Sequence, residues 1–198
     1  MIMNHHSKAA VSPSGKPAAE AGRFDRTSLA LHWLTVLLVI AQLTTAWLLS
    51  QAGDDAGAAV TLLVVHRSTG VLIWLVVAGR LVWRSRFADL PPFPASMPRL
   101  QQAIAKANEY GLYTLLLVQP LTGLGDTLFR GHAFSLFVWR VPALLATDKA
   151  LYRGFHAAHE VGALALLALI GLHAAAALFH GLILRDGVLQ RMLPGPSR

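Results

Sequence analysis

Three histidines in the last apolar stretch of the chain, His159, His173 and His180, are separated by fourteen and seven residues. An α-helix completes close to a whole number of turns over each interval, so the three imidazoles lie on one face. Fourteen residues at about 1.5 Å each put His159 and His173 about 21 Å apart, near opposite edges of a hydrocarbon layer about 30 Å thick. That separation suits two axial metal positions better than one polynuclear site. His173 is flanked by Ile170, Gly171, Leu172 and Ala174 to Leu178, which offer a buried ring nitrogen almost no partner; a bound metal would supply one. His180 lies close to Arg185 and Asp186 and is expected to hydrogen-bond near the membrane surface instead.

The elements that must carry these side chains follow from composition. The chain has 198 residues, 55% of them apolar and 14% charged, with no cysteine. This is the make-up of a membrane protein. Four apolar segments, Leu29 to Leu49, Val60 to Trp83, Tyr110 to Leu128 and Val161 to Leu184, each come near the roughly 20 residues a spanning helix needs. They predict an all-α membrane protein, a four-transmembrane-helix bundle. The polar start of the chain has no convincing cleavage site, so no cleaved signal peptide is expected. Its VSPSGKPAAEAG stretch predicts a disordered extension over residues 1–24, in which the adjacent His5 and His6 are incidental.

The formal charge of +7 is distributed by topology. Lys16, Arg23 and Arg26 precede the first segment, Arg80, Arg84 and Arg86 close the second, Arg99 and Lys106 precede the third, and Arg185, Arg191 and Arg198 follow the fourth. With alternating helices all of these fall on one side, which predicts both termini, and the extension, in the cytoplasm. No basic patch is left over to demand a nucleic-acid partner.

In that arrangement the histidines pair by depth. His32 at the cytoplasmic end of the first helix faces His173, and His66 toward the external end of the second faces His159. Zinc normally takes four ligands, often including cysteine, and each layer supplies two histidines. Haem iron already has four porphyrin nitrogens and needs two axial ligands, so two bis-histidyl b-type haems are the economical reading. No C-x-x-C-H motif is present for covalent attachment. Arg67 and Arg80 are candidate haem propionate partners, one near each surface. Gly70, Gly162 and Gly171 are small enough for close approach of helix or macrocycle, and the five tryptophans fit interfacial anchoring. A transporter or purely structural membrane protein is disfavoured, because no inverted repeat is visible among the segments.

Several stretches resemble the bacterial cytochrome b561 family, small four-helix di-haem proteins related to the membrane cytochrome b subunits of hydrogenases. They are RTSLALHWL at Arg26 to Leu34, HRSTG at His66 to Gly70, GRLVWR at Gly79 to Arg84, His159 with Glu160, GLHAAAALFH at Gly171 to His180, and RDGVLQRMLP at Arg185 to Pro194. The resemblance implies a di-haem domain over residues 25–198, located in the bacterial cytoplasmic membrane, with His32, His66, His159 and His173 as haem ligands. It also implies electron exchange with a membrane quinone and, in some members, oxidation of superoxide with ubiquinone as acceptor. Arg67, Arg130, Arg140, Lys149 and Arg153 could then guide the anion. The nearest alternative is a membrane subunit relaying electrons to quinone from a partner dehydrogenase or hydrogenase. His180 would lie near a haem edge or a quinone pocket. The segment Ala105 to Tyr110 departs from many members, which bear histidines there.

Overall fold

The computed structural model describes residues 22–53, 55–94 and 96–193. Four long helices run in sequence order: α1 (Arg26–Gln51), α2 (Ala56–Arg86), α3 (Arg99–Phe129) and α4 (Lys149–Leu178). Between α3 and α4 lies a small antiparallel hairpin, β1 (Phe134–Leu136) with β2 (Trp139–Val141), in which Ser135 opposes Arg140. A π-helical turn, Phe179–Leu184, prolongs α4, and a 3-10 turn, Leu189–Met192, follows. Residues 1–21 of the expected extension, including His5 and His6, lie outside the described residues.

Three of the long helices start on an aspartate. The carboxylates of Asp25, Asp55 and Asp148 accept backbone N–H groups of the first turns of α1, α2 and α4, satisfying donors that have no partner within the helix. Arg84 and Arg86 stand in the last turn of α2, where the helix dipole favours cations.

Packing is inverted relative to a water-soluble bundle. Leu37 is 64% exposed and Val161 67%, whereas Thr35, Thr45 and Gln119 are all at or below 8%. Apolar side chains therefore face outward, as a lipid environment requires, and polar ones face the interior. A small apolar core, Ile73, Val77, Tyr113, Leu116 and Leu166, joins α2, α3 and α4.

The expected four-transmembrane-helix bundle needs correction: among the described residues three helices, α1, α2 and the continuous stretch Lys149–Leu184, are long and apolar enough to cross a membrane. The third helix has the length, with 31 residues, but not the composition. It carries Arg99, Lys106, Glu109 and Asp126, and it buries Asn108, Gln119 and Thr127. These polar groups are used between helices: Arg84 and Glu109 form an ion pair at 2.9 Å, and the Asn108 amide donates to the Leu169 carbonyl at 3.2 Å. The expectation of both termini in the cytoplasm rested on four alternating crossings and loses that support; residues 1–21 and 194–198 lie outside the described residues.

Asp25 joins two helices as well as capping one. Its carboxylate accepts the Ser28 N–H at 2.9 Å, the Ser28 hydroxyl at 2.6 Å and the Trp83 indole N–H at 3.2 Å. Partial burial acts to raise its pKa, but these hydrogen bonds outweigh it and hold the group below its ordinary value. Its contribution is therefore present above the usual carboxylate pKa and is lost as pH falls through the depressed one. Asp25→Ala should cost about 1 kcal/mol, read as a lower unfolding temperature in detergent near neutral pH. The difference from the parent protein should disappear in acid.

Candidate functional site

α4 packs closely along α3, α3 against α2 and α2 against α1, while the backbone of α4 stands off from α1 and α2. The histidines occupy that gap. His32 on α1 meets His173 on α4 with ring centroids 6.3 Å apart, and His66 on α2 meets His159 on α4 at 6.2 Å. The rings of each pair are inclined, by 56° and 78°. The two pairs are separated along α4 by fourteen residues, about 21 Å of helix.

The pairs differ in their surroundings. His66 Nδ1 lies 3.1 Å from the Thr45 hydroxyl, which itself donates to the Gln42 carbonyl at 2.9 Å. The Gln42 amide nitrogen lies 3.0 Å from His66 Nε2. His159 Nδ1 lies 3.0 Å from the Gln119 carbonyl and 3.0 Å from the Thr122 hydroxyl. By contrast, His32 Nδ1 is buried without a partner, and among the described residues no hydrogen bond reaches His173. None of Gln42, Thr45, Gln119 and Thr122 stood out in the sequence analysis; the signal was their polarity inside AQLTTAW and VQPLTG.

Arg67 and Arg80 occupy the two levels. Arg67 donates to the Thr127 hydroxyl at 3.3 Å, lies 5.7 Å from the Phe134 ring centroid, and lines a cavity of about 240 Å³ with Val64, Ser135 and Arg140. Arg80 lies 5.4 Å from the Tyr113 ring centroid.

His180 belongs to neither pair. It is 5% exposed, with Nδ1 at 2.5 Å from the Asp186 carboxylate and Nε2 at 2.9 Å from the Gln101 amide nitrogen. Slight burial tends to raise the Asp186 pKa, but the hydrogen bonds from His180 and the Val188 N–H outweigh it and lower it. This carboxylate, imidazole and amide chain ties the end of α4 to the start of α3.

Glycines let α3 approach α4 closely enough to present a backbone carbonyl to His159. A Cβ at Gly123 would lie 3.0 Å from the His159 ring, one at Gly125 would press on Phe155, and one at Gly162 would run into the Gln119 amide. That amide donates to the His159 carbonyl at 2.9 Å. Gly162→Ala should therefore displace Gln119 and cost about 1–3 kcal/mol through overpacking, measured as a drop in unfolding temperature in detergent. Gly79→Ala, where a Cβ meets nothing within 4 Å, serves as the control and should be far milder.

Two imidazoles bound on opposite sides of one metal, each by a nitrogen about 2 Å away, place their centroids about 6 Å apart, the spacing of both pairs. The standoff of α4 from α1 and α2 also fits a planar group held between the rings of each pair. Residues 23–195 match the sequence model of the family described as prokaryotic cytochrome b561. The chain is 30% identical over 174 residues to cytochrome b561 homolog 1 of Escherichia coli (strain K12), covering 87% of this chain and 97% of that one. It is 30% identical over 173 residues to cytochrome b561 homolog 2 of the same organism, covering 86% and 91%. It is 27% identical over 174 residues to a Yersinia pestis protein named probable superoxide oxidase CybB, covering 87% and 96%. Matched over nearly its whole described length, the chain belongs to the prokaryotic cytochrome b561 family and is a multi-pass protein of the bacterial inner membrane.

Proposed function

We propose that this membrane-embedded electron-transfer protein is a di-haem b-type cytochrome that oxidises superoxide and reduces ubiquinone. The observation that carries the reading is the pair of histidine layers, His66 with His159 and His32 with His173, each spaced for two axial ligands on one iron. A non-covalent haem in each layer would supply an iron that gains and loses one electron at a fixed position, with no coordination site left for a substrate.

The remaining work is done by the chain. The four imidazoles would hold the two irons, and Arg67 and Arg80 would offer cationic hydrogen-bond donors to propionates. α4, carrying one histidine of each pair, fixes the distance between layers. Beside His66, Arg67 and Arg140 line the same cavity and give that end of the bundle a positive field able to draw in an anion. Two superoxide ions each give up one electron and leave as dioxygen; the two electrons, with two protons, convert one ubiquinone to ubiquinol. The likeness to a relative whose name is superoxide oxidase supports the choice of substrate.

Replacing His32, His66, His159 or His173 by alanine should in each case lower the haem content or change the reduced-minus-oxidised spectrum of the purified protein. His180→Ala should retain two haems. With a superoxide source and a soluble ubiquinone, the haem-loaded protein should form quinol. Formation should stop when superoxide is removed enzymatically and should fall in the His66 and His159 variants. Quinol formation indifferent to superoxide would assign the electrons to another donor, and a purified protein without haem despite ample supply would overturn the whole reading.

A further inference from the structure

We infer that hydrogen bonding sets the two histidine layers at different redox levels: Thr45 and the Gln119 carbonyl make His66 and His159 the more electron-rich ligand pair, so the site between them has the lower reduction potential. The inference rests on the haem reading proposed above. It concerns residues that touch the ligands and not the iron, so Thr45 is a positioning residue.

The Thr45 hydroxyl donates to the Gln42 carbonyl at 2.9 Å. With its one hydrogen so placed, its oxygen accepts at 3.1 Å from the His66 tautomer that carries its hydrogen on Nδ1. The lone pair is left on Nε2, where the Gln42 amide donates to it at 3.0 Å. An iron at Nε2 would displace that amide, whose own oxygen is buried without a partner. At His159 the result is the same. The Gln119 carbonyl can only accept, so Nδ1 carries the hydrogen and Nε2 the lone pair. An imidazole that donates its Nδ1 hydrogen concentrates negative charge on Nε2 and becomes a stronger ligand to the oxidised metal.

The other layer has no such support. His32 Nδ1 is buried without a partner, and no hydrogen bond among the described residues reaches either ring. An electron entering beside His66 and His159 therefore runs downhill toward His32 and His173. The fold gives the transfer a direction before any partner is bound.

The test is an optical redox titration of the purified haem-loaded full chain, accompanied by electron paramagnetic resonance of the oxidised protein. In the parent protein the higher of two potentials should be the one lost or displaced by His32→Ala. Thr45→Val keeps the shape and removes the acceptor. It should raise the lower potential by about tenfold in the reduction equilibrium, which is about 59 mV for one electron, and leave the other within error. Only one of the two low-spin ferric signals should move. Thr45→Ser, which restores the hydroxyl, should return both readouts, and Thr45→Ala serves if the valine variant does not assemble. An unchanged potential in haem-loaded Thr45→Val, an equal shift at both haems, or loss of the lower potential in His32→Ala would overturn this inference and leave the di-haem reading standing. A parent protein that binds no haem would overturn both.

Discussion

An imidazole in a membrane needs partners for its ring nitrogens, and this bundle brings four of them into two pairs between its helices. That one constraint organises most of what surrounds them. The gap between α4 and the α1–α2 pair is held open at two levels by rings that meet across it with centroids near 6 Å. At one level both nitrogens of His66 and Nδ1 of His159 meet hydroxyl, amide and carbonyl groups. At the other, His32 Nδ1 is buried without a partner.

The third helix is the element on which this arrangement leans. A helix facing only lipid would have no use for Asn108, Gln119 or Thr127, and all three are buried. α3 instead contributes its polar side chains to α4 and its carbonyl to His159, with Gly123, Gly125 and Gly162 giving the closeness that these short bonds need. The same residues that make α3 useful inside the bundle lower its apolarity below that of the other three helices. In this respect the correction to the number of spanning helices and the geometry of the His159 site have a common cause.

The opposite end is closed by contacts of long sequence separation. The Trp33 indole donates to the Met192 carbonyl at 2.8 Å, Arg191 donates to the Pro92 carbonyl at 2.5 Å, and His180 is pinned between Asp186 and Gln101. The chain after α4 thereby folds back across the starts of α1 and α3. The π-helical turn that holds His180 packs Gly181 against Leu189, where a larger residue would collide. His180 keeps the angular position of His159 and His173 in an ideal helix, yet its hydrogen bonds go to the closing segment.

Much was legible in the sequence because it depends on local regularities. The existence and order of the long helices follow from the apolar runs, though α3 and α4 begin at Arg99 and Lys149, ahead of the runs at Tyr110 and Val161. The one-faced spacing of His159 and His173 follows from helical pitch, and the match of levels between His32 and His173, and between His66 and His159, follows from antiparallel order along the chain. The number of apolar spans did not follow, because a window such as Tyr110 to Leu128 counts residues without showing which ones serve neighbouring helices. Nor did the partners of the imidazoles. Thr45, twenty-one residues from His66, and Gln119, forty from His159, become neighbours only when α1 meets α2 and α3 meets α4. Helical periodicity assigns a face and a depth to each residue, whereas a hydrogen bond between helices depends on their rotation and separation, which only tertiary packing decides.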